Sequence, residues 1–211
     1  MLIAGAKGFA IEVLEILHQL DNLNEVFFFD NKSSDLAGTI YGFKIIKSEN
    51  EVGVVFENNP AFVLGLGGTS DREKMSKLLT MKGGKLTSLV SPRASIGHFG
   101  VELGMGVSIM TGTIITNNIS VGEGTLINLN CTIGHDSKIG KYCDISPNCN
   151  ISGGCQIGDY CHFGTNSILL PKVKVGNNVT IGAGSVVTKN IEDNSLVVGI
   201  PAKKIKDIDP I

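Results

Sequence analysis

The 211-residue chain has no run of lysine or arginine, no apolar stretch of bilayer length and no Cys-x-x-C pair. Its 18 Lys and Arg against 20 Asp and Glu give a net charge of -2. Surfaces for nucleic acid or anionic lipid need clustered cations, so neither partner is expected. No segment supplies the roughly 20 consecutive apolar residues of a membrane-spanning helix. The segment MLIAGAKGFA lacks the basic stretch and cleavage site of a secretory signal, and a cytoplasmic location is expected. Without a Cys-x-x-C pair, zinc sites of the paired type are excluded, and no metal is expected.

What is present is a period. From Ser91 to Lys189 every sixth residue is apolar: Leu103, Ile109, Ile115, Val121, Ile127, Ile133, Ile139, Ile145, Ile151, Ile157, Phe163, Leu169, Val175, Ile181 and Val187. Such a hexapeptide repeat marks a parallel β-helix. A period of 18 lies over it, because glycine follows the aliphatic residue at Gly104, Gly122, Gly140, Gly158 and Gly176. Three hexapeptides therefore make one coil of a triangular solenoid, with short strands stacked about 4.8 Å apart. All five cysteines (Cys131, Cys143, Cys149, Cys155, Cys161) fall four residues after an aliphatic position, in a column of mostly small side chains. They read as small buried groups with free thiols, not as ligands or nucleophiles.

Residues 1–90 follow another pattern. MLIAGAKGFAIEVLEILHQL reads as strand, glycine turn and helix, VFFFD and AFVLGLG as further strands, and SDREKMSKLL as a helix with Ser70 as N-cap. Alternating strands and helices predict a small Rossmann-like parallel sheet. The expected fold is α/β plus β-solenoid, with domains at 1–90 and 91–211.

Gly5 to Ala10 stand between the first strand and the first helix. There, backbone N–H groups at a helix N-terminus can hold a phosphate, or the glycines can serve a bare turn. Asp30, ending the second strand, is either a ribose or base contact or a turn residue. His135 falls in the slot that turns between faces, in an 18-residue column with Asn117, Gly153, Pro171 and Lys189. An imidazole can take a proton near neutral pH, and the amide of the adjacent bare glycine can donate to an oxyanion. Asp136 beside it can orient the ring if the corner bends the two side chains together.

The segments GAKGFAIEVLEIL, FFFDNK, INLNCTIGHDSKIGKYCDISPNCNISGGCQIG and VVGIPAKKI resemble the bacterial sugar acetyltransferases, in which a nucleotide-sugar-binding domain precedes a left-handed β-helix. That family includes UDP-4-amino-sugar N-acetyltransferases and sialic acid O-acetyltransferases. The resemblance implies acetyl-CoA as co-substrate, His135 as catalytic base with Asp136, and Gly153 facing the thioester. It further implies Asn128 at the sugar, the pantetheine arm along Thr165, Asn166 and Ala183, a phosphate loop at Gly5, Lys7 and Gly8, and base recognition by Asp30 and Lys32. Two positions depart from the pattern. A second family histidine is Asp144 here, and an Asp144–His162 contact is expected to take over part of its role at the acetyl-CoA site. Phe9 replaces a histidine beside the sugar.

The expected function is N-acetylation of a nucleotide-linked 4-amino-deoxy sugar, with sialic acid O-acetylation second and a non-catalytic nucleotide-sugar sensor third. A metal-dependent β-helix hydratase needs three converging histidines, and the regular coils hold two, His135 and His162. One corner histidine cannot enclose a substrate, so a homotrimer with His135 at the subunit interface is expected.

Overall fold

The structure, a computed structural model, describes residues 1–33, 35 and 37–211. Its first part runs β1 (Leu2–Ala4), α1 (Gly8–Gln19), β2 (Phe27–Phe29), β3 (Thr39–Ile40), β4 (Phe43–Ile46), α2 (Glu49–Asn58), β5 (Ala61–Leu64), α3 (Thr69–Met81) and β6 (Lys85–Leu86). The strands form one sheet in the order β3-β4-β2-β1-β5-β6, parallel except where β3 joins β4. Leu2, Ile3 and Ala4 of the central strand are fully buried, as a sheet covered on both faces requires. The chain leaves β1 toward β2 on one side and β5 lies on the other, so the carboxyl end of β1 is the topological switch point, the place where sheets of this kind bind ligands.

From Leu89 the chain winds as a left-handed parallel β-helix. Its strands stack into sheets of eight, six and five among the described residues, and residues 18 apart pair, as in Thr132↔Asn150 and Ile133↔Ile151. The first face carries Ser108, Leu126, Asp144, His162 and Thr180 outward, the second Ile114, Thr132, Asn150 and Ile168, and the third Ser120, Lys138, Gln156 and Lys174. The period-six aliphatics fill the interior. The small column has a second purpose that packing alone does not reveal. Thr113, Thr125 and Ser137 hydroxyls donate to carbonyls of the next coil at 2.7 to 3.3 Å, and the thiols of all five cysteines do the same at 3.0 to 3.3 Å. Turn carbonyls inside the coil would otherwise be buried without a donor. Burial pushes the Cys143 and Cys155 thiols up, which keeps them neutral donors.

Each corner needs a left-handed residue. Asn118, Asn130, Asp136, Asn148 and Asn166 take φ between +55° and +61°, the conformation that asparagine and aspartate tolerate best after glycine. Tyr142 and Tyr160 break this preference at φ +50° and +58°. Their rings stack with centroids 6.1 Å apart, and their hydroxyls reach Glu123 and Glu73 at 2.9 Å. Glu73 lies on α3, so the corner tyrosines tie the first part of the chain to the solenoid.

That junction is extensive. Met110, Leu126 and Leu89 of the solenoid share one apolar cluster with Ala6, Ala10, Val13 and Leu17. Arg72, on α3, is fully buried and donates to the carbonyls of Gly124 and Leu66 at 2.8 and 2.7 Å. Burial lowers its guanidinium to about 10, against the raising effect of Asp144 and Tyr142. In the sequence Arg72 reads as an ordinary surface residue of a polar helix. The solenoid ends in an antiparallel hairpin, Ser195–Gly199 with Ala202–Asp207, whose first strand pairs with Thr180–Ile181.

Candidate active site

His135 sits at the corner between the second and third faces. Asp136 takes φ +60°, and this bend brings two sequence neighbours onto the same side. His135 Nδ1 and Asp136 Oδ2 are 2.7 Å apart, while Asn118 one coil earlier donates to Asp136 Oδ1 at 3.2 Å. The His135 hydrogen bond, then that of Asn118, holds the Asp136 carboxyl below the usual carboxylate range. With Asp136 ionised, Nδ1 carries the ring proton and Nε2 is left as the free base.

The ring lies across Gly153 of the next coil. A Cβ on Gly153 would stand 2.7 Å from Nε2 and 2.8 Å from Cε1, so the corner accepts the imidazole only because this residue has no side chain. Gly153 accepts at its carbonyl from Lys172, but among the described residues its N–H donates to nothing. A proton acceptor and an unused donor thus stand side by side, the pairing that acyl transfer requires.

The other expected site residues lie elsewhere. Asn128, Thr165, Asn166 and Ala183 line the corner between the first and second faces, a full face away from His135. Asn128 uses its Oδ1 to accept from Leu129 N at 2.7 Å, and its amide NH2 has no partner among the described residues. Phe9 and Leu129 both pack against the apolar cluster that the two parts of the chain share. Phe9 therefore contributes to the junction between the two parts of the chain. Gly5 has φ +111°, and a Cβ there would meet the Gly65 carbonyl oxygen at 2.7 Å, so β1 and the β5–α3 loop approach as closely as a backbone can. Lys7 is the N-cap of α1 with no side-chain cap, which leaves the helix N-terminus and Gly8 open to an anion. The exposed Lys7 ammonium is 3.7 Å from Asp35 and that of Lys32 is 3.7 Å from Asp71.

Asp30 follows the turn reading. Its carboxylate accepts from Lys32 N, Ser33 N and Ser33 Oγ at 2.9 to 3.1 Å and so holds its own loop. Asp144 is buried on the first face, and its Oδ2 accepts from Gly68 N at 2.7 Å, with His162 Nδ1 3.9 Å away. Gly68, not Ser70, caps α3, and the side-chain acceptor comes from the solenoid. Among the described residues no group of three His, Cys, Asp or Glu is placed to hold a metal ion, and no helix is long and apolar enough to cross a membrane.

Residues 1–79 match the family described as PglD N-terminal domain, and residues 154–189 match bacterial transferase hexapeptide (six repeats). Sequence comparison with curated proteins finds no match. Among solved structures, the chain is similar to a histidine-to-asparagine variant of perosamine N-acetyltransferase from Caulobacter crescentus in complex with CoA and GDP-perosamine, at 25% identity over 98% of this chain and 96% of that one, with a TM-score of 0.90. It is also similar to WeeI from Acinetobacter baumannii, at 26% identity over 97% and 98% of the two chains and a TM-score of 0.87. The acetyltransferase domain of PglB from Neisseria gonorrhoeae, in complex with acetyl coenzyme A, shares the fold at 24% identity over 97% and 98% of the two chains, with a TM-score of 0.78. The N-terminal match, the hexapeptide match and the shared two-part fold agree: the chain belongs to the bacterial sugar acetyltransferase family.

Proposed function

We propose that this protein is a cytoplasmic acetyl-CoA-dependent N-acetyltransferase acting on a nucleotide-linked 4-amino-deoxy sugar. The observation that carries the reading is the His135–Asp136 pair at 2.7 Å lying over bare Gly153. His135 Nε2 takes a proton from the sugar amine as its nitrogen attacks the thioester carbonyl carbon. Gly153 N–H stabilises the tetrahedral oxyanion, and Asp136 supports the imidazolium that forms. Collapse breaks the C–S bond, and the proton passes from His135 to the leaving thiolate. The buried cysteine column offers no nucleophile at this corner, which favours direct transfer over an acyl-enzyme. The open N-terminus of α1 with Lys7 suits a diphosphate, and the Caulobacter relative was solved with a nucleotide-linked amino sugar.

One chain holds the halves of this site on different corners, so the working unit is a homotrimer in which His135 of one copy meets the glycine loop, Asn128 and the Thr165–Ala183 edge of the next. The outward column of the second face, Ser95, Ile114, Thr132, Asn150, Ile168 and Val186, carries no charge, whereas the third face presents Glu102, Lys138 and Lys174. The uncharged face is the one suited to self-association.

The test is incubation with acetyl-CoA and a panel of UDP-, dTDP- and GDP-linked 4-amino sugars, following free CoA thiol, with free sialic acid as the competing acceptor. Thiol release with an amino sugar supports the proposal. Release with sialic acid alone moves the assignment to O-acetylation, and no release with any acceptor leaves a sensor.

A further inference from the structure

At the corner of His135 the left-handed position is filled, coil by coil, by Gly100, Asn118, Asp136, Gly154 and Lys172, with φ from +55° to +74°. Glycine and lysine both satisfy the backbone there, so the turn itself does not require an asparagine. What Asn118 adds is its amide. Nδ2 donates to Asp136 Oδ1 at 3.2 Å, which leaves Oδ2, at 2.7 Å from His135 Nδ1, as the oxygen that faces the ring.

Asn118 is itself held from the other side. Its backbone N–H donates to Phe99 O at 2.9 Å, and Ile119 N donates to Gly100 O at 3.0 Å. A Cβ on Gly100 would stand 2.6 Å from Asn118 Oδ1, so the amide oxygen rests on a residue that has no side chain. The first coil carries one residue more at this corner than the next: Ser95 pairs with Ile114, 19 positions on, whereas Val101 pairs with Ile119, 18 positions on. The longer corner holds Phe99, whose N–H donates to Asn117 Oδ1 at 3.3 Å. The irregular first coil thus forms a seat for the Asn118 amide.

We propose that Asn118 is a positioning residue for the His135–Asp136 pair, fixing the Asp136 carboxylate so that His135 keeps its proton on Nδ1 and presents Nε2 as the base. This rests on the acetyltransferase reading for its kinetic consequence, although not for its effect on the ring. A carboxylate held by one oxygen alone rotates, and a rotating partner selects neither ring orientation nor tautomer.

The experiment uses Asn118→Gly, which keeps the left-handed backbone that Gly100 and Gly154 already adopt. Misplacement of the base predicts a fall in kcat on the order of tenfold, with KM for both substrates and the melting temperature unchanged. In an Asp136→Ala background the same change should cost nothing further, because the amide acts only through that carboxylate. Ring 15N shifts of His135 should report the Nδ1–H tautomer in the unsubstituted protein and a mixture in Asn118→Gly. That readout needs no turnover, so it decides the positioning role even if no acceptor is acetylated. Unchanged kcat and tautomer, or a loss that persists undiminished without Asp136, would overturn the proposal.

Discussion

Asp144 and Gly68 lie 76 residues apart in the chain and share one hydrogen bond of 2.7 Å. The carboxylate on the first face of the solenoid accepts the N–H of the residue that caps α3, a place where a helix favours negative charge. The aspartate that stands where the family pattern has a histidine thus joins the two parts of the chain, with His162 at the edge of the same contact.

Asp144→Ala should therefore destabilise the protein by about 1 to 2 kcal/mol, the usual cost of losing a helix cap, as read from urea denaturation. Asp144→Asn retains an acceptor oxygen and should cost less. If Asp144→Ala instead leaves stability intact and raises KM for acetyl-CoA, the residue belongs to the acyl site.

His135→Ala should lower kcat on the order of a hundredfold or more while leaving acetyl-CoA affinity nearly unchanged, since a general base acts in the transition state. Asp136→Asn should be milder. Steady-state kinetics with both substrates varied is the measurement, and more than about half of the original turnover in His135→Ala would reduce the histidine to a corner residue.

At Gly153 the backbone is not in the left-handed region, so alanine fits the chain but not the imidazole above it. Gly153→Ala should keep its melting temperature to within a few degrees, a surface-like change in stability, yet lose turnover as the ring is displaced. Equal kcat for the two proteins would mean that His135 does not work in the position it occupies here.

Acid should loosen the junction at Glu73. The Lys77 hydrogen bond first, and the Tyr160 hydroxyl with it, hold this carboxyl below its ordinary range against the opposing effect of burial. A depressed carboxylate contributes stability that is complete above its unfolded pKa and is lost as pH falls through the folded value. Between about pH 5 and pH 3, the melting temperature should fall less steeply in Glu73→Gln than in the unsubstituted protein. Parallel curves would remove Glu73 from the acid response.

The period of six made the solenoid, its inward column and the corner position of His135 legible, because a repeating backbone imposes the same demand every coil. The adjacent column, that of Asp136, holds Asn118 18 residues earlier, although nothing in the sequence marks it as a donor. Contacts made by closing the two parts on each other were not legible. Arg72 looks like a solvated helix residue until the solenoid covers it, and Ser70 looks like a cap until Asp144 supplies one from elsewhere. Phe9 packs against the apolar cluster and Asp30 holds its own loop, contacts that the resemblance to the family does not announce.

The closing hairpin has a consequence for solubility. A stack of parallel strands ends in a rung of unsatisfied N–H and C=O groups, which is a template for another chain. Ser195–Gly199 takes up that rung on the first face, and Ala202–Asp207 turns back antiparallel beside it with Lys203, Lys204 and Lys206 along its length. Reversed direction and lysines on the edge refuse the next parallel strand. Removing residues 195–211 would leave the Thr180–Ile181 rung open, and the solenoid, whose coils already repeat at a fibril spacing, would be primed to grow end to end into filaments.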